Sequence, residues 1–249
     1  MAYLTRLCEP ARQCFRHWRQ CLRAQCPLCG LACAAGTLCV HCRALLRQDH
    51  EAAAWRCPRC SLAGTSPGAC AQCDVSVPLF ERAIAAFDYR APQDLLIHEL
   101  KVRHRLHLVP VLGGLLAEAV TVAWPDMPEE TILLPVPSSR AALARRGFNP
   151  AGEIARDLAR RLGRDCRLGL LRRVREGPRQ ASLGRRARLA AAARMYHVSG
   201  SVAGLRLVVV DDVMTTAGTV NAVAGRLLAA GARSVHVLVV ARTPVLSVS

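Results

Sequence analysis

The stretch LVVVDDVMTTAGTV, residues 207–220, decides the fold. Its first four residues are apolar and mostly β-branched, which predicts a buried strand that ends at two carboxylates, Asp211 and Asp212. A short run of hydroxyl and small residues follows, and the apolar spacing from Thr219 onward predicts a helix. A strand, a loop and a helix in this order are typical of an open parallel sheet, whose ligands bind at the carboxyl ends of its strands.

The loop in this stretch has the composition of an anion site. The backbone amides of Thr216 to Thr219 and the helix N-terminus would bind a phosphate group, and three threonine hydroxyls add donors. Two adjacent carboxylates would repel a bare phosphate. We therefore interpret the stretch as a site for a phosphate attached to a sugar, whose hydroxyls donate to Asp211 and Asp212.

Apolar strands and helical patterns alternate on both sides of this stretch. The patterns predict strands at 84–89, 131–136, 167–171, 205–210 and 234–240, and helices at 92–103, 108–123, 149–162, 183–195 and 219–230. Asn149 and Pro150 form a favourable cap and first turn for the third of these helices. The alternation predicts the α/β class, with a mostly parallel sheet flanked by helices on both faces.

Twelve of the thirteen cysteines precede residue 75, and eight of them follow a repeated pattern. The spacing C-x2-C-x9-C-x2-C occurs twice, at Cys26, Cys29, Cys39 and Cys42 and again at Cys57, Cys60, Cys70 and Cys73. Each set predicts a closed, structural four-sulfur site for Zn²⁺, with no open position for catalysis. Pairing of successive knuckles is the simplest arrangement, and an interleaved pairing satisfies the same spacings. Disulfides would need an oxidising compartment, and the N-terminus lacks the apolar core of a signal peptide.

The composition is strongly basic, with 34 basic against 18 acidic residues and a formal net charge of +16. An apolar fraction of 52% excludes a wholly disordered chain, and no stretch reaches the roughly eighteen uncharged apolar residues of a membrane helix. We expect a cytoplasmic protein without membrane insertion. Arginines surround the cysteine pairs, and Trp18 and Trp55 could stack on bases of single-stranded DNA. Tryptophans packed under the knuckles, below a solvated basic surface, are the equal alternative.

The change in composition along the chain predicts three parts. Residues 1–22 form a basic segment, residues 23–78 a double zinc-ribbon domain, and residues 79–249 the α/β domain.

The order Asp-Asp followed by Thr-Thr-Ala-Gly-Thr resembles the phosphoribosyl pyrophosphate (PRPP) signature of type I phosphoribosyltransferases. The resemblance implies that fold, with Asp211 and Asp212 as catalytic residues that hold the ribose hydroxyls. It also implies that the 5-phosphate binds to the loop of Thr215, Thr216, Ala217, Gly218 and Thr219. The segment LPVPSSR, residues 134–140, resembles the pyrophosphate loop of amidophosphoribosyltransferase-like proteins. By that resemblance the pyrophosphate site contains Pro137, Ser138, Ser139 and Arg140, and PRPP binds together with Mg²⁺. A departing pyrophosphate also needs cationic groups, and the candidates are Arg140, Lys101, which is the only lysine of the chain, and Arg103 or Arg175.

Together with the cysteine pairs, this order of motifs resembles the ComF family, bacterial proteins linked to DNA uptake in natural competence. The chain departs from the family pattern at Pro150, in the segment 177–180 and near Ala191. These positions surround the presumed acceptor side, so the acceptor chemistry is less well supported than PRPP binding.

The resemblance implies a PRPP-binding, phosphoribosyltransferase-like protein whose partners are single-stranded DNA or the DNA-uptake and helicase machinery. Pentosyl transfer to an acceptor stays open. The alternative is a non-catalytic adaptor that binds single-stranded DNA or a partner and uses the fold as a scaffold or PRPP sensor. The arginine-rich segment from Arg172 to Arg188 is either a flexible hood over the site or a solvated basic helix.

Overall fold

The computed structural model of the chain describes residues 23–53, 55–64, 67–68, 70–174 and 195–244. The basic segment 1–22, with Trp18, lies outside the described residues. So do Ala191, all but the last residue of the predicted helix 183–195, and most of the arginine-rich segment.

The N-terminal part consists of two units that repeat the same local structure. Its elements are β1 (Arg23–Gln25), β2 (Ala32–Ala34), α1 (Val40–Glu51), β3 (Trp55–Arg56), β4 (Ala63–Gly64) and α2 (Ala71–Val75). β1 pairs antiparallel with β2, and β3 pairs antiparallel with β4. In both units the third cysteine caps the helix, because the thiol of Cys39 accepts from the Cys42 N–H and that of Cys70 from the Cys73 N–H.

A five-stranded, fully parallel sheet forms the centre of the molecule. Its strands are β5 (Ala83–Asp88), β6 (Ile132–Pro135), β7 (Asp165–Cys166), β10 (Arg206–Met214) and β11 (Ser234–Arg242), in the order β5-β11-β10-β6-β7. All four pairings are parallel. Residues 207–210 are buried without measurable exposure, as expected for a strand that is covered on both faces. The predicted fold class is confirmed.

Helices cover both faces of this sheet. They are α3 (Asp94–Val102), α4 (Val109–Ala123), α5 (Arg140–Arg146), α6 (Pro150–Leu162) and α7 (Gly218–Ala229), with a 3₁₀ turn (Leu106–Leu108) before α4. α3, α4 and α6 bury Leu100, Leu112 and Leu158 against Val208 and Val210 on one face. α7 buries its apolar side on the other face, in one cluster with Val209 and the cysteines of the second unit.

Two strand predictions differ from the structure. The strand predicted at 167–171 is wrong, because residues 167–170 form a turn that ends where β8 (Leu171–Arg173) begins. Leu168 in this turn is exposed, and Gly169 has no side chain to bury. The strand predicted to end at Val210 continues to Met214, since β11 extends to Arg242 and keeps pairing with it. Asp211 and Asp212 therefore lie within β10 and not after it.

One described helical stretch, 106–123, is apolar and long enough to cross a membrane by length and composition. Leu112 and Leu116 of this stretch are fully buried against the sheet. The stretch therefore serves as a core helix of the α/β fold.

Candidate functional site

The two carboxylates of β10 have different surroundings at the carboxyl end of the sheet. Adjacent residues of a strand point to opposite faces, so Asp211 and Asp212 lie on opposite sides of the sheet. Asp212 Oδ1 is 2.7 Å from Nζ of Lys101, which is near the end of α3. Asp211 Oδ1 accepts a hydrogen bond of 2.9 Å from the Asp212 N–H. The structure thus brings together Asp212 and Lys101, the only lysine of the chain.

Asp211 holds its proton more tightly than an ordinary aspartate. Burial raises the pKa of Asp211 well above its usual value, and the neighbouring Asp212 charge raises it further. Its hydrogen bond from Asp212 and the positive charge of Lys101 oppose this shift. Two carboxylates in this position favour a group that brings positive charge or donates hydrogen bonds to them.

The loop after β10 exposes its polar residues at the N-terminus of α7. Thr215, Thr216, Gly218 and Thr219 are exposed, whereas Ala217 is buried and has a left-handed backbone with φ +57°. α7 begins at Gly218 and has 12 residues, so its first N–H groups lie beside the threonine hydroxyls. This arrangement has the donors that a phosphate group requires.

Two residues that were not predicted from the sequence form hydrogen bonds with the backbone carbonyls of this loop. The guanidinium of Arg242 donates to the carbonyls of Met214 and Thr215, and Nε2 of Gln72 donates to the carbonyl of Thr216. Gln72 is 144 positions from Thr216 along the chain. Its place inside the C-x2-C pair of Cys70 and Cys73 was the only sequence signal that could have drawn attention to it.

The second predicted loop, 137–140, lies at the end of β6 beside Asp211. Val136 N donates to the carbonyl of Val210 at 2.8 Å, which places the loop next to the carboxylates. Ser138 Oγ donates to Asn149 Oδ1, and Ser139 Oγ accepts from the Ala142 N–H as the cap of α5. Arg140 is exposed in the first turn of α5. Pro137, at the start of the loop, is half-buried.

A small antiparallel hairpin, β8 with β9 (Tyr196–Val198), lies on the Asp211 side of the sheet. Burial raises the pKa of Tyr196, Arg173 opposes this, and the Asp211 charge adds to it. The hairpin therefore brings a phenol and a guanidinium near the carboxylate, and it flanks the arginine-rich segment that lies outside the described residues.

The eight predicted metal ligands form two clusters of four, grouped by successive knuckles. In each cluster the four sulfur atoms lie within 4.8 Å of one another, and the sulfur atoms of Cys60 and Cys70 are 3.5 Å apart. Four sulfurs at about 2.3 Å from a zinc ion would be about 3.8 Å from each other, so the residues fit that ion.

The charges of the thiols also fit a divalent cation. Burial raises the pKa of Cys26, but hydrogen bonds from several backbone N–H groups outweigh this effect and lower the pKa to about 6. Burial and the neighbouring thiols raise the pKa of Cys42 and of Cys73. Four thiolates would repel one another without a cation at their centre, and a bound metal ion removes that penalty.

Trp55 is half-buried and packs against the core that contains Cys57 and Cys60. Of the two roles considered for this tryptophan, the described contacts favour packing under the knuckles.

A cavity of about 590 Å³ lies elsewhere, between α1, the outer strand β5 and α4. None of the predicted PRPP-site residues lines it. Three of its four arginines are paired with carboxylates, Arg43 and Arg47 with Glu118 and Arg56 with Asp88. We therefore take the carboxyl end of the sheet as the candidate site.

Comparison with known proteins agrees with this location. The family model described as "Phosphoribosyl transferase domain" matches residues 141–246, which include β10, the threonine loop and α7. The DNA utilization protein YhgH of Salmonella typhi is 34% identical over 170 residues, which cover 67% of this chain and 74% of that protein. The protein of the same name from Escherichia coli K12 is 31% identical over the same shares of both chains.

Among solved structures, TT1426 from Thermus thermophilus is 18% identical and covers 55% of this chain and 84% of its own, with a TM-score of 0.34. A likeness this distant carries no argument. Three other findings together show that the chain belongs to the ComF family: its identity to the YhgH proteins, the matched domain and the two cysteine clusters.

Proposed function

We propose that this protein binds PRPP with Mg²⁺ at the carboxyl end of its sheet and serves in the uptake or use of DNA in the cytoplasm. The observation that carries the proposal is the continuity of β10, the exposed threonine loop and α7, with Asp211 and Asp212 among the last four residues of β10. The name of the YhgH relatives, DNA utilization protein, supports the second half of the proposal.

Different residues of the site would bind different parts of PRPP. The loop 215–219 and the first turn of α7 would bind the 5-phosphate through backbone N–H groups and hydroxyls. Asp211 and Asp212 would accept hydrogen bonds from the ribose hydroxyls. Lys101 and Arg140 would neutralise the pyrophosphate, with Pro137, Ser138 and Ser139 of the loop around it. Mg²⁺ supplies charge neutralisation on the departing pyrophosphate in such transfers.

Zinc is the metal we infer for the two cysteine clusters. Four thiolates in a tetrahedral shell are its usual structural ligands, and the closed shells leave catalysis to the carboxyl end of the sheet.

The first experiment is calorimetric titration of the metal-loaded protein with PRPP and Mg²⁺, and with pyrophosphate alone. We expect saturable, Mg²⁺-dependent binding that is lost in the double variant Asp211→Asn with Asp212→Asn. Asp165→Asn is the matched control, because Asp165 is an exposed carboxylate on β7 at the far edge of the same sheet. Absence of saturable PRPP binding by the unaltered protein would reject the proposal.

A non-catalytic DNA-binding role is the second candidate, and the net charge of +16 favours it. Attraction to a polyanion would show as a fall of log K with log[salt], with a slope of about −0.7 for each phosphate contacted on a single strand. The double aspartate variant should bind single-stranded DNA as well as the unaltered protein. A matching loss of DNA affinity and PRPP affinity would instead tie the two ligands to one site.

A further inference from the structure

Arg242, the last residue of β11, is the buried centre of a hydrogen-bond network under the threonine loop. It is 1% exposed, and its guanidinium donates to the carbonyls of Cys60 at 3.1 Å, Met214 at 2.9 Å and Thr215. It also donates to the carbonyl of Thr243 and to Oε1 of Gln72. All of these acceptors are neutral, so within the described contacts its positive charge lies under the loop without a carboxylate partner.

Both the oxygen and the nitrogen of the Gln72 side-chain amide form hydrogen bonds. Its Oε1 accepts from Arg242 Nη2 at 3.2 Å, and its Nε2 donates to the carbonyl of Thr216 at 2.5 Å. Gln72 lies in α2 between Cys70 and Cys73, two members of the second cysteine cluster. The position of its backbone is therefore set by the shell of that cluster.

These contacts orient the donors of the loop. In a planar trans peptide the N–H points opposite to the carbonyl of the same unit. Because the Thr215 carbonyl points at Arg242, the N–H of Thr216 points away from it. Because the Thr216 carbonyl points at Gln72, the N–H of Ala217 points away from the second cluster. Both N–H groups are thus directed toward the side of the loop where a phosphate would bind.

The two cysteine clusters differ in their contacts with the threonine loop. Residues around the first cluster contact α4, where Gly36 lies close to Pro110 and Arg43 pairs with Glu118. The second cluster shares a buried core with Ala217 and Val220 of the loop and α7. His41, between Cys39 and Cys42 of the first cluster, occupies the position that Gln72 occupies between Cys70 and Cys73 of the second cluster, and it is exposed.

We propose that Gln72 and Arg242 are positioning residues for the threonine loop, and that the second cysteine cluster holds these two residues in place. Occupancy of this cluster by a metal ion then sets the affinity of the loop for phosphate groups, and occupancy of the first cluster does not. The inference rests on the proposed PRPP site and adds to it a specific means of control.

The first test compares Gln72→Glu with Gln72→Leu. Glutamate keeps an acceptor for Arg242 and pairs with its charge, but it loses the donor to Thr216 and adds a negative charge beside the loop. Leucine leaves Arg242 one acceptor short. We expect Gln72→Glu to be the more stable of the two in urea unfolding and the weaker in PRPP binding, by about tenfold or more relative to the unaltered protein. A purely structural role would make affinity follow stability.

His41→Ala is the control and should change neither property. If Gln72→Glu bound PRPP as tightly as the unaltered protein, the positioning role would be overturned while the proposed function would stand. If the unaltered protein bound no PRPP, the proposed function would fail, and the loop contacts would still be tested by amide hydrogen exchange of residues 215–219. Faster exchange in both Gln72 variants, with metal content unchanged, is the result expected there.

The second test compares Cys73→Ser with Cys42→Ser, the last cysteine of each cluster. We expect Cys73→Ser to lower PRPP affinity and to speed amide exchange in residues 215–219, and Cys42→Ser to leave both near their original values. Equal effects of the two substitutions on the loop would overturn the role of the second cluster.

Discussion

Asp211 and Asp212 show how adjacent residues of the same type acquire different properties. Asp212 has a cation within 2.7 Å, whereas Asp211 has no cation as close among the described residues, and the charge of its neighbour raises its pKa. An acid whose pKa is higher in the folded state contributes stability below its unfolded pKa, which is about 3.9. That contribution is lost as the pH rises through the folded pKa.

We therefore predict that Asp211→Asn stabilises the fold at neutral pH, because asparagine removes a carboxylate whose charge is disfavoured by burial and by the neighbouring Asp212. The gain should disappear near pH 3, where Asp211 is protonated in both states. Urea unfolding midpoints at several pH values measure this. Asp212→Asn should bring no such gain, because it removes the partner of Lys101. A destabilised Asp211→Asn protein at pH 7 would contradict the assignment.

A second residue-scale prediction concerns Arg56 and Asp88, which join β3 to the end of β5. The guanidinium donates to both carboxylate oxygens, at 2.9 and 2.8 Å, and Asp88 is 7% exposed. Arg56→Met leaves a buried carboxylate without its partner and should cost about 3 kcal/mol of unfolding free energy. Adding Asp88→Asn should restore part of the loss, as measured by chemical unfolding. A double variant as unstable as the sum of the single ones would show that the two side chains act independently.

At the scale of elements, the contact of α4 with α6 depends on Gly113. A Cβ built there would overlap Oδ2 of Asp157 and lie 3.1 Å from its Cγ. Asp157 is buried and paired with Arg160 and Arg161, so it has little freedom to move. A Cβ at the next residue, Gly114, would have its nearest neighbour in Arg161 Nη1, at 3.4 Å, which is an ordinary van der Waals distance.

We predict that Gly113→Ala destabilises the protein by about 1–3 kcal/mol, as overpacking usually does. Gly114→Ala should be neutral or stabilising by about 0.5–1 kcal/mol, because alanine is the better helix former. Thermal unfolding of the two variants side by side measures both effects. A loss at Gly114 as large as that at Gly113 would mean that backbone freedom, and not the close contact, requires these glycines.

Elements with a clear period were predictable from the sequence, and irregular ones were not. The predicted strand at 234–240 and helix at 149–162 differ from β11 and α6 by at most two residues at either end, because buried apolar runs and Asn-Pro caps are local signals. α5 was missed, since its seven residues are too short to show a helical period. The extension of β10 to Met214 depends on pairing with β11, which no local pattern contains.

The same distinction holds for the candidate site at the scale of the whole molecule. The carboxylates and the threonine loop could be recognised because strand, loop and helix are contiguous in the chain. The contact between Gln72 and Arg242 joins residues 170 positions apart, so only the folded chain shows it. Lys101 was singled out as the only lysine, and its ion pair with Asp212 is a property of the packing of α3 on the sheet.

A prediction at this scale is that the purified protein contains two zinc ions per chain. Mass spectrometric metal analysis should find about one in Cys29→Ser and two in Cys33→Ser. Cys33 is the suitable control, since it lies beside the first cluster but its thiol donates to the Thr37 carbonyl. Loss of a zinc ion on changing Cys33 would contradict the ligand assignment.

The anchoring of the loop by Arg242 also bears on the order in which the protein matures during synthesis. The cysteine units are made early, before any of the five strands of the sheet. The threonine loop follows much later, and its buried anchor is added only with the last strand. Until residue 242 is in place, the loop lacks the contacts that Arg242 makes to the carbonyls of Met214 and Thr215, so a chain that terminates before that point should bind PRPP more weakly than the full chain.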